Sequence, residues 1–256
     1  YKQFLHTGMM SLEPQTGHVK AWVGGINHKH FKYDHVELGK RQAGSTFKPF
    51  LYSTAIDLLH YSPCKQYPDG EYTIPAGKHG NTNDWTPKDS NGDYGNIMTL
   101  QEALAKSKNT ISARLMDEVG PQPVIDRAGQ LGIDIENMDA VPSLALGTAD
   151  VSLYQMVAAY GVFANGGIYN KPVLVTSIED KNGTVIYQYI PESKDVMNPE
   201  TAYVTVNLME GVTRIGSGGR LRGNWAINNS FYKEVITDYP YDFKNDIAGK
   251  TGTTQN

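Results

Sequence analysis

Cysteine is almost missing from this chain. Cys64 is the only one, so no intrachain disulfide can form and a Cys-rich zinc site is excluded. An excess of cations is missing too: 23 Lys and Arg stand against 27 Asp and Glu, a net charge of -4, which leaves nothing to neutralise a phosphate backbone and excludes nucleic acid as a partner. No run of about 18 apolar residues is present to cross a bilayer, and no charged-then-apolar leader precedes Tyr1. Any membrane anchor or export signal is therefore expected outside the printed residues. The seven histidines are scattered; "HKH" at 28–30 is the one close pair, and no carboxylates accompany it at a ligand spacing, so no metal site is expected there. Internal repeats and low-complexity tracts are also lacking.

What is present is a chain of 256 residues, enough for one large domain or two lobes sharing a core. "FLHTGMMSLEPQTGHVKAWVGG" places two short apolar runs around Gln15-Thr16-Gly17, a hairpin pattern. From Ser45, the residues Phe47, Phe50, Leu51, Thr54, Ala55, Leu58 and Leu59 recur at intervals of three and four, which predicts one buried helical face ending near His60. Residues 61–95, rich in Gly, Pro, Asn, Asp and Tyr, read as a long surface excursion. Thr99 with Glu102 forms a capping-box pattern, and helices are expected over 110–119 and 122–129. "DVSLYQMVAAYGVFANGG" carries Val151, Tyr154, Val157, Ala158 and Val162 on one stripe and stops at a double glycine, as a core helix does. Asn182-Gly183 between β-branched runs predicts a second hairpin, and Asn198-Pro199 opens a last helix.

Ser45 and Lys48, in "GSTFKPF", are three residues apart. On a helix that spacing puts both side chains on one face, with Cβ atoms about 5–6 Å apart. Lysine can take a serine proton where desolvation or a nearby cation keeps part of it neutral, and free N–H groups at a helix start favour an oxyanion beside Ser45. Pro49 in the first turn breaks no helical hydrogen bond. Taken alone, S-x-x-K is equally a helix cap. "SKN" at 107–109 adds a hydroxyl and an amide, with Lys108 between them read as a solvated charge. "KTGTT" at 250–254, after the start of a strand in "DIA", adds an ammonium, hydroxyls and a glycine that permits close backbone approach. The order S-x-x-K, S-x-N, K-T-G is far more specific than any of its parts.

With these motifs and the flanks "MMSLEPQTGHVKAWVGG", "KRQAGSTFKPF", "TLQEALAKSKNT", "ALGTADVSLYQMVAAYGVFANGG" and "IAGKTGTTQN", the chain resembles the transpeptidase domain of class A, bifunctional penicillin-binding proteins over essentially all of its length. The resemblance implies an α/β (α+β) serine β-lactamase/penicillin-binding-protein fold: a central antiparallel sheet flanked by helices, plus a mainly helical lobe at roughly 61–165, all in a single domain spanning 1–256. It implies acyl transfer on peptidoglycan stem peptides ending in D-Ala-D-Ala, with β-lactams as covalent inhibitors and no cofactor. Ser45 would be the nucleophile, Lys48 its base, Ser107 a proton relay, Asn109 the amide that orients Lys48 and binds the donor, and Lys250 the second cation. Thr251, Gly252 and Thr253 would bind substrate, and the N–H groups of Ser45 and Thr253 would form an oxyanion hole. Trp85 is a further candidate at the border of the cleft.

The same resemblance implies a glycosyltransferase domain and a membrane anchor preceding Tyr1, on the extracytoplasmic face of a bacterial membrane. Family members also continue past the third motif, so the C-terminal strands are expected to be missing after Asn256, leaving an unpaired sheet edge. Two other functions fit these residues: a D,D-carboxypeptidase or weak β-lactamase, and a non-catalytic penicillin-binding sensor. "YGN" at 94–96 echoes class D β-lactamases, but Asn109 departs from their middle motif. No E-x-x-L-N segment is present to place a deacylating water.

Overall fold

The computed structural model describes residues 5–89, 92, 94–222 and 243–254. In chain order the elements are β1 (Met9–Leu12), β2 (Val19–Val23), β3 (Lys40–Gln42), α1 (Lys48–Leu59), β4 (Gln66–Pro68), β5 (Ile97–Thr99), α2 (Leu100–Ala105), α3 (Asn109–Val119), α4 (Pro121–Gln130), β6 (Asp150–Ser152), α5 (Leu153–Ala164), β7 (Ile168–Asn170), β8 (Ser177–Glu179), β9 (Val185–Gln188), β10 (Ser193–Asp195) and α6 (Pro199–Arg214). The class is α/β, as expected. Among the described residues the strands pair as five separate two-stranded ladders, β1–β2, β3–β6, β4–β5, β7–β10 and β8–β9, rather than as one central antiparallel sheet.

Two compact units emerge, and the chain passes between them more than once. The first comprises 1–41, 128–137 and 150–202; the second comprises 42–127, 138–149 and 203–256. A helical lobe over 61–165 coincides with neither, because 128–137 and 150–165 group with the first unit.

In the first unit, β1 and β2 form the expected antiparallel hairpin, with Met10 opposite Trp22. Its turn is closed by the Gly17 N–H donating to the Glu13 carbonyl at 2.9 Å and by the Thr16 hydroxyl donating to Glu13 Oε2 at 2.5 Å. Helix α5 starts at a capping box between Ser152 and Gln155 and buries Ala158, Ala159, Val162 and Phe163. It packs against β1 and β7. Each fully buried Val or Phe contributes about 1.5–3 kcal/mol. The Asn182-Gly183 hairpin joins β8 to β9, with Ile178 opposite Tyr187, and the Asn198 side chain accepts from the Thr201 N–H at 2.8 Å to cap α6.

The second unit is organised around α1. The sequence predicts one buried face here, yet Lys48 through Ile56 are all buried and Leu58, assigned to that face, is 53% exposed. The helix is surrounded rather than laid on a surface, so its interior turns have no solvent-facing side, even Lys48, Ser53 and Thr54 being buried, and the apolar period stops being informative. Helix α3 packs on it, with the Tyr52 and Ser112 hydroxyls 3.4 Å apart. Helix α1 ends at His60, whose left-handed φ of 54° stops the ladder. The Thr99–Glu102 capping box forms at the start of α2. Residues 246–254, expected to begin a strand, carry no ladder among the described residues. A strand exists only where a second one meets its backbone groups, and here α6 meets them instead. The Thr213 hydroxyl donates to the Ile247 carbonyl at 2.8 Å and the Gly249 N–H donates to the Met209 carbonyl at 3.3 Å. Gln255 and Asn256, at the end of the block "IAGKTGTTQN", lie outside the described residues.

Candidate active site

Ser45 sits in a tight 3-10 turn, Gly44–Phe47, that feeds directly into α1. Two backbone bonds anchor the turn: Ala43 N–H to the Ala149 carbonyl at 3.0 Å and Gly44 N–H to the Gly147 carbonyl at 2.9 Å. Gly44 holds φ at +57°, and a Cβ there would lie 2.7 Å from the Thr253 carbonyl oxygen. Only glycine satisfies both demands. Gly252 answers from the other side, since its Cβ would be 2.8 Å from Thr46 Cγ2. "KTGTT" therefore runs in direct contact with the serine turn, and each segment has a glycine where the other comes closest.

Lys48 is the first residue of α1 and is fully buried. Its amine donates to the Ser107 carbonyl at 2.7 Å, to Asn109 Oδ1 at 2.8 Å and to Ser107 Oγ at 3.3 Å. Desolvation pulls its pKa well below that of an ordinary lysine, the charge of Lys250 pulls it further, and Asp89 opposes them. The Ser45 hydroxyl is half-buried and makes no hydrogen bond among the described residues. The backbone N–H groups of Ser45 and Thr253 likewise meet no acceptor among those residues.

Ser107 follows α2 with φ at +58°, a left-handed conformation uncommon for a residue with a side chain. Its N–H donates to the Leu104 carbonyl at 3.1 Å and the next N–H, of Lys108, donates to the Ala103 carbonyl at 2.9 Å. This pair of bonds is a Schellman motif, with serine at the position glycine usually occupies. The conformation costs about 1–3 kcal/mol, and in return the site gains a hydroxyl. That hydroxyl accepts from Lys250 Nζ at 2.9 Å, so it stands between both site lysines. Lys250 also donates to the Thr251 carbonyl at 3.0 Å, and burial lowers its pKa to about 8.

Asn109 opens α3. Its side-chain N–H donates to the Lys88 carbonyl at 2.8 Å, which turns Oδ1 toward Lys48. Lys108 is not the solvated charge its neighbours suggest. It is 3% exposed, with its ammonium 2.6 Å from Asp69 Oδ2 and 3.4 Å from Asp89 Oδ2. Burial alone would lower its pKa; the two carboxylates overcome that and raise it. Nothing in the sequence singles out Asp69 and Asp89, which lie in a loop with no period, where an aspartate looks like any turn residue. Ser217 is likewise unannounced, with its Oγ 2.5 Å from Thr251 Oγ1. "IGSGG" gives no hint of that meeting. The backbone of Trp85 forms an antiparallel bridge with Ile74, and among the described residues no hydrogen bond joins Trp85 to the cluster.

Ser45, Lys48, Ser107, Asn109 and Lys250 thus gather within one unit, with Thr251, Gly252 and Thr253 beside them. Residues 7–256 match the family described as the penicillin binding protein transpeptidase domain. Penicillin-binding protein 1A of Neisseria cinerea is 32% identical over 255 residues, covering 98% of this chain and 29% of that protein. The protein of the same name from Aquifex aeolicus is 32% identical over 253 residues, covering 98% of this chain and 31% of its own. The chain therefore spans less than a third of the length of these relatives. Among solved structures, penicillin-binding protein 1A from Haemophilus influenzae superposes with a TM-score of 0.79 at 22% identity, covering 84% of this chain and 37% of that one. PonA1 from Mycobacterium tuberculosis in complex with penicillin V gives 0.69 at 25% identity, covering 80% and 55%. The family match runs nearly end to end and the relatives are 32% identical over 98% of this chain: the chain belongs to the penicillin-binding-protein transpeptidase family.

Proposed function

We propose that this chain is the transpeptidase part of a class A penicillin-binding protein and catalyses acyl transfer on peptidoglycan stem peptides ending in D-Ala-D-Ala. The observation that carries this reading is the Ser107 hydroxyl, held between the amines of Lys48 and Lys250 beside the Ser45 turn. A neutral lysine amine has two hydrogens and one lone pair. The Ser107 carbonyl and Asn109 Oδ1 can only accept, so they take the two hydrogens and leave the lone pair to a hydroxyl. Lys48 then accepts the Ser45 proton as Oγ attacks the penultimate D-Ala carbonyl. The backbone N–H groups of Ser45 and Thr253 receive the oxyanion, each worth about 3–4 kcal/mol where such donors have been measured. The proton returns from Lys48 through Ser107 to the leaving nitrogen, the amide C–N bond breaks, and the terminal D-Ala departs. An amine of a neighbouring stem peptide attacks the ester and regenerates Ser45.

Thr251 and Thr253 hold the terminal carboxylate, and Lys250 supplies positive potential. A β-lactam acylates Ser45 by the same first step, which the penicillin V complex of PonA1 supports. The relatives' greater length supports a glycosyltransferase domain and membrane anchor in the whole protein, with this part on the extracytoplasmic face. Intact mass after incubation with a fluorescent penicillin tests the reading: one adduct is expected, lost in Ser45→Ala. An adduct that survives Ser45→Ala refutes it. Product analysis on a D-Ala-D-Ala peptide with and without an acceptor amine then separates transpeptidation from hydrolysis, and slow acylation without peptide turnover identifies a sensor.

A further inference from the structure

Resting on that reading, we propose that Asp89 is a positioning residue of the site: it fixes the turn from which Ser107 and Asn109 reach Lys48. Helix α3 begins with unpaired N–H groups and with Lys108 at its N-cap, a residue with no side-chain acceptor to offer them. Asp89 supplies that acceptor from a loop twenty residues earlier. Its Oδ1 accepts from the Asn109 N–H at 2.5 Å and the Thr110 N–H at 3.4 Å, and its Oδ2 accepts from the Thr110 hydroxyl at 3.2 Å. The adjacent Lys88 carbonyl holds the Asn109 amide nitrogen, so one short stretch of loop sets both the backbone and the side-chain orientation of Asn109.

The Lys108 ammonium ties this loop to Asp69, whose Oδ1 accepts from the same Thr110 hydroxyl at 3.0 Å. Asp69 and Asp89 thus share Lys108 and Thr110, but only Asp89 touches Asn109. The charged groups acting on Lys48 are Lys250, from the 243–254 segment, and Asp89, from this loop; they push its protonation in opposite directions. The Ser107 and Asn109 groups that complete its surroundings are neutral.

That asymmetry gives the test. Asp89→Asn and Asp69→Asn are compared in the full chain for thermal stability and for the second-order rate of Ser45 acylation by a fluorescent penicillin across pH. Asp89→Asn is expected to slow acylation about tenfold or more, the scale of loss when a reacting group is misplaced. It is also expected to move the acid limb of the pH profile to lower pH, because the charge that favours protonated Lys48 is gone. Asp69→Asn is expected to lower Tm to a similar degree while its rate stays within about threefold of wild type and its acid limb stays in place. Equal losses with unchanged profiles in both variants, or an Asp89→Asn rate within that threefold band, overturn the proposal. Should Asp89→Asn not fold, Asp89→Glu keeps the counter-charge of Lys108 while displacing the carboxylate, and it is judged by the rate criterion alone. A wild type that fails to acylate counts against the functional reading alone. The positioning role is then read from amide hydrogen exchange at Asn109: lost protection in Asp89→Ala but not in Asp69→Ala supports it, and unchanged protection in both overturns it.

Discussion

Gly44→Ala probes the contact between the serine turn and "KTGTT". Alanine at φ +57° costs about 1–2 kcal/mol of backbone energy. Its Cβ would also stand 2.7 Å from the Thr253 carbonyl oxygen and 3.0 Å from Thr254 Cγ2. The first approach is roughly 0.7 Å inside an ordinary contact. The atom in the way is backbone, so the third motif must move and take the Thr253 N–H with it. A misplacement approaching 1 Å costs about 100-fold in rate, and that is the expected loss of acylation by a fluorescent penicillin. Gly77→Ala is the control: φ is +83° there, but nothing lies within 4 Å of the added Cβ. Both variants are expected to lose about 2–8 °C in Tm from backbone strain, while Gly77→Ala acylates within about threefold of wild type. Equal acylation by the two variants would refute the claim that Gly44 exists to admit Thr253.

Removing the second cation acts on the base. In Lys250→Gln, Lys48 loses the like charge that disfavours its protonated form, so its pKa rises and the acid limb of acylation moves to higher pH, opposite to Asp89→Asn. In the wild type, acylation by carboxylate-bearing substrates is expected to weaken above about pH 8 as Lys250 itself loses its proton. That alkaline decline is absent from the variant, and its persistence there assigns it to another group. Away from the site, Asn198→Ala removes the acceptor of the Thr201 N–H and is expected to cost about 1 kcal/mol, or 2–4 °C in Tm, without altering acylation; a thermal melt checks it.

Local features were legible wherever they are chemical and short-range. The Thr99–Glu102 capping box, the Asn198 cap, the Asn182-Gly183 hairpin and the helix end at His60 depend on a few neighbouring residues, and each forms as the sequence indicates. Period-based reasoning failed at α1, because burial on all sides erases the polar face that makes a period readable. The strand expected to start at 246–248 forms no ladder among the described residues, since ladder formation depends on a partner elsewhere in the chain. Lys108 looked solvated for a similar reason: nothing near it in sequence announces Asp69 or Asp89.

By itself the sequence determined which groups the candidate site draws on. Ser45, Lys48, Ser107, Asn109 and Lys250 stand in an order and spacing too specific to arise from helix caps and turns, and they name the family. Tertiary structure decided how those groups are tuned: that Lys48 is sealed from water, that Ser107 stands between two lysines, that Asp89 caps a helix twenty residues away, and that two glycines let Thr253 lie against the serine turn. The division has a physical cause. Bonding capacity belongs to the residue and is written locally, whereas desolvation, charge coupling and close approach depend on what long-range packing brings within a few ångströms.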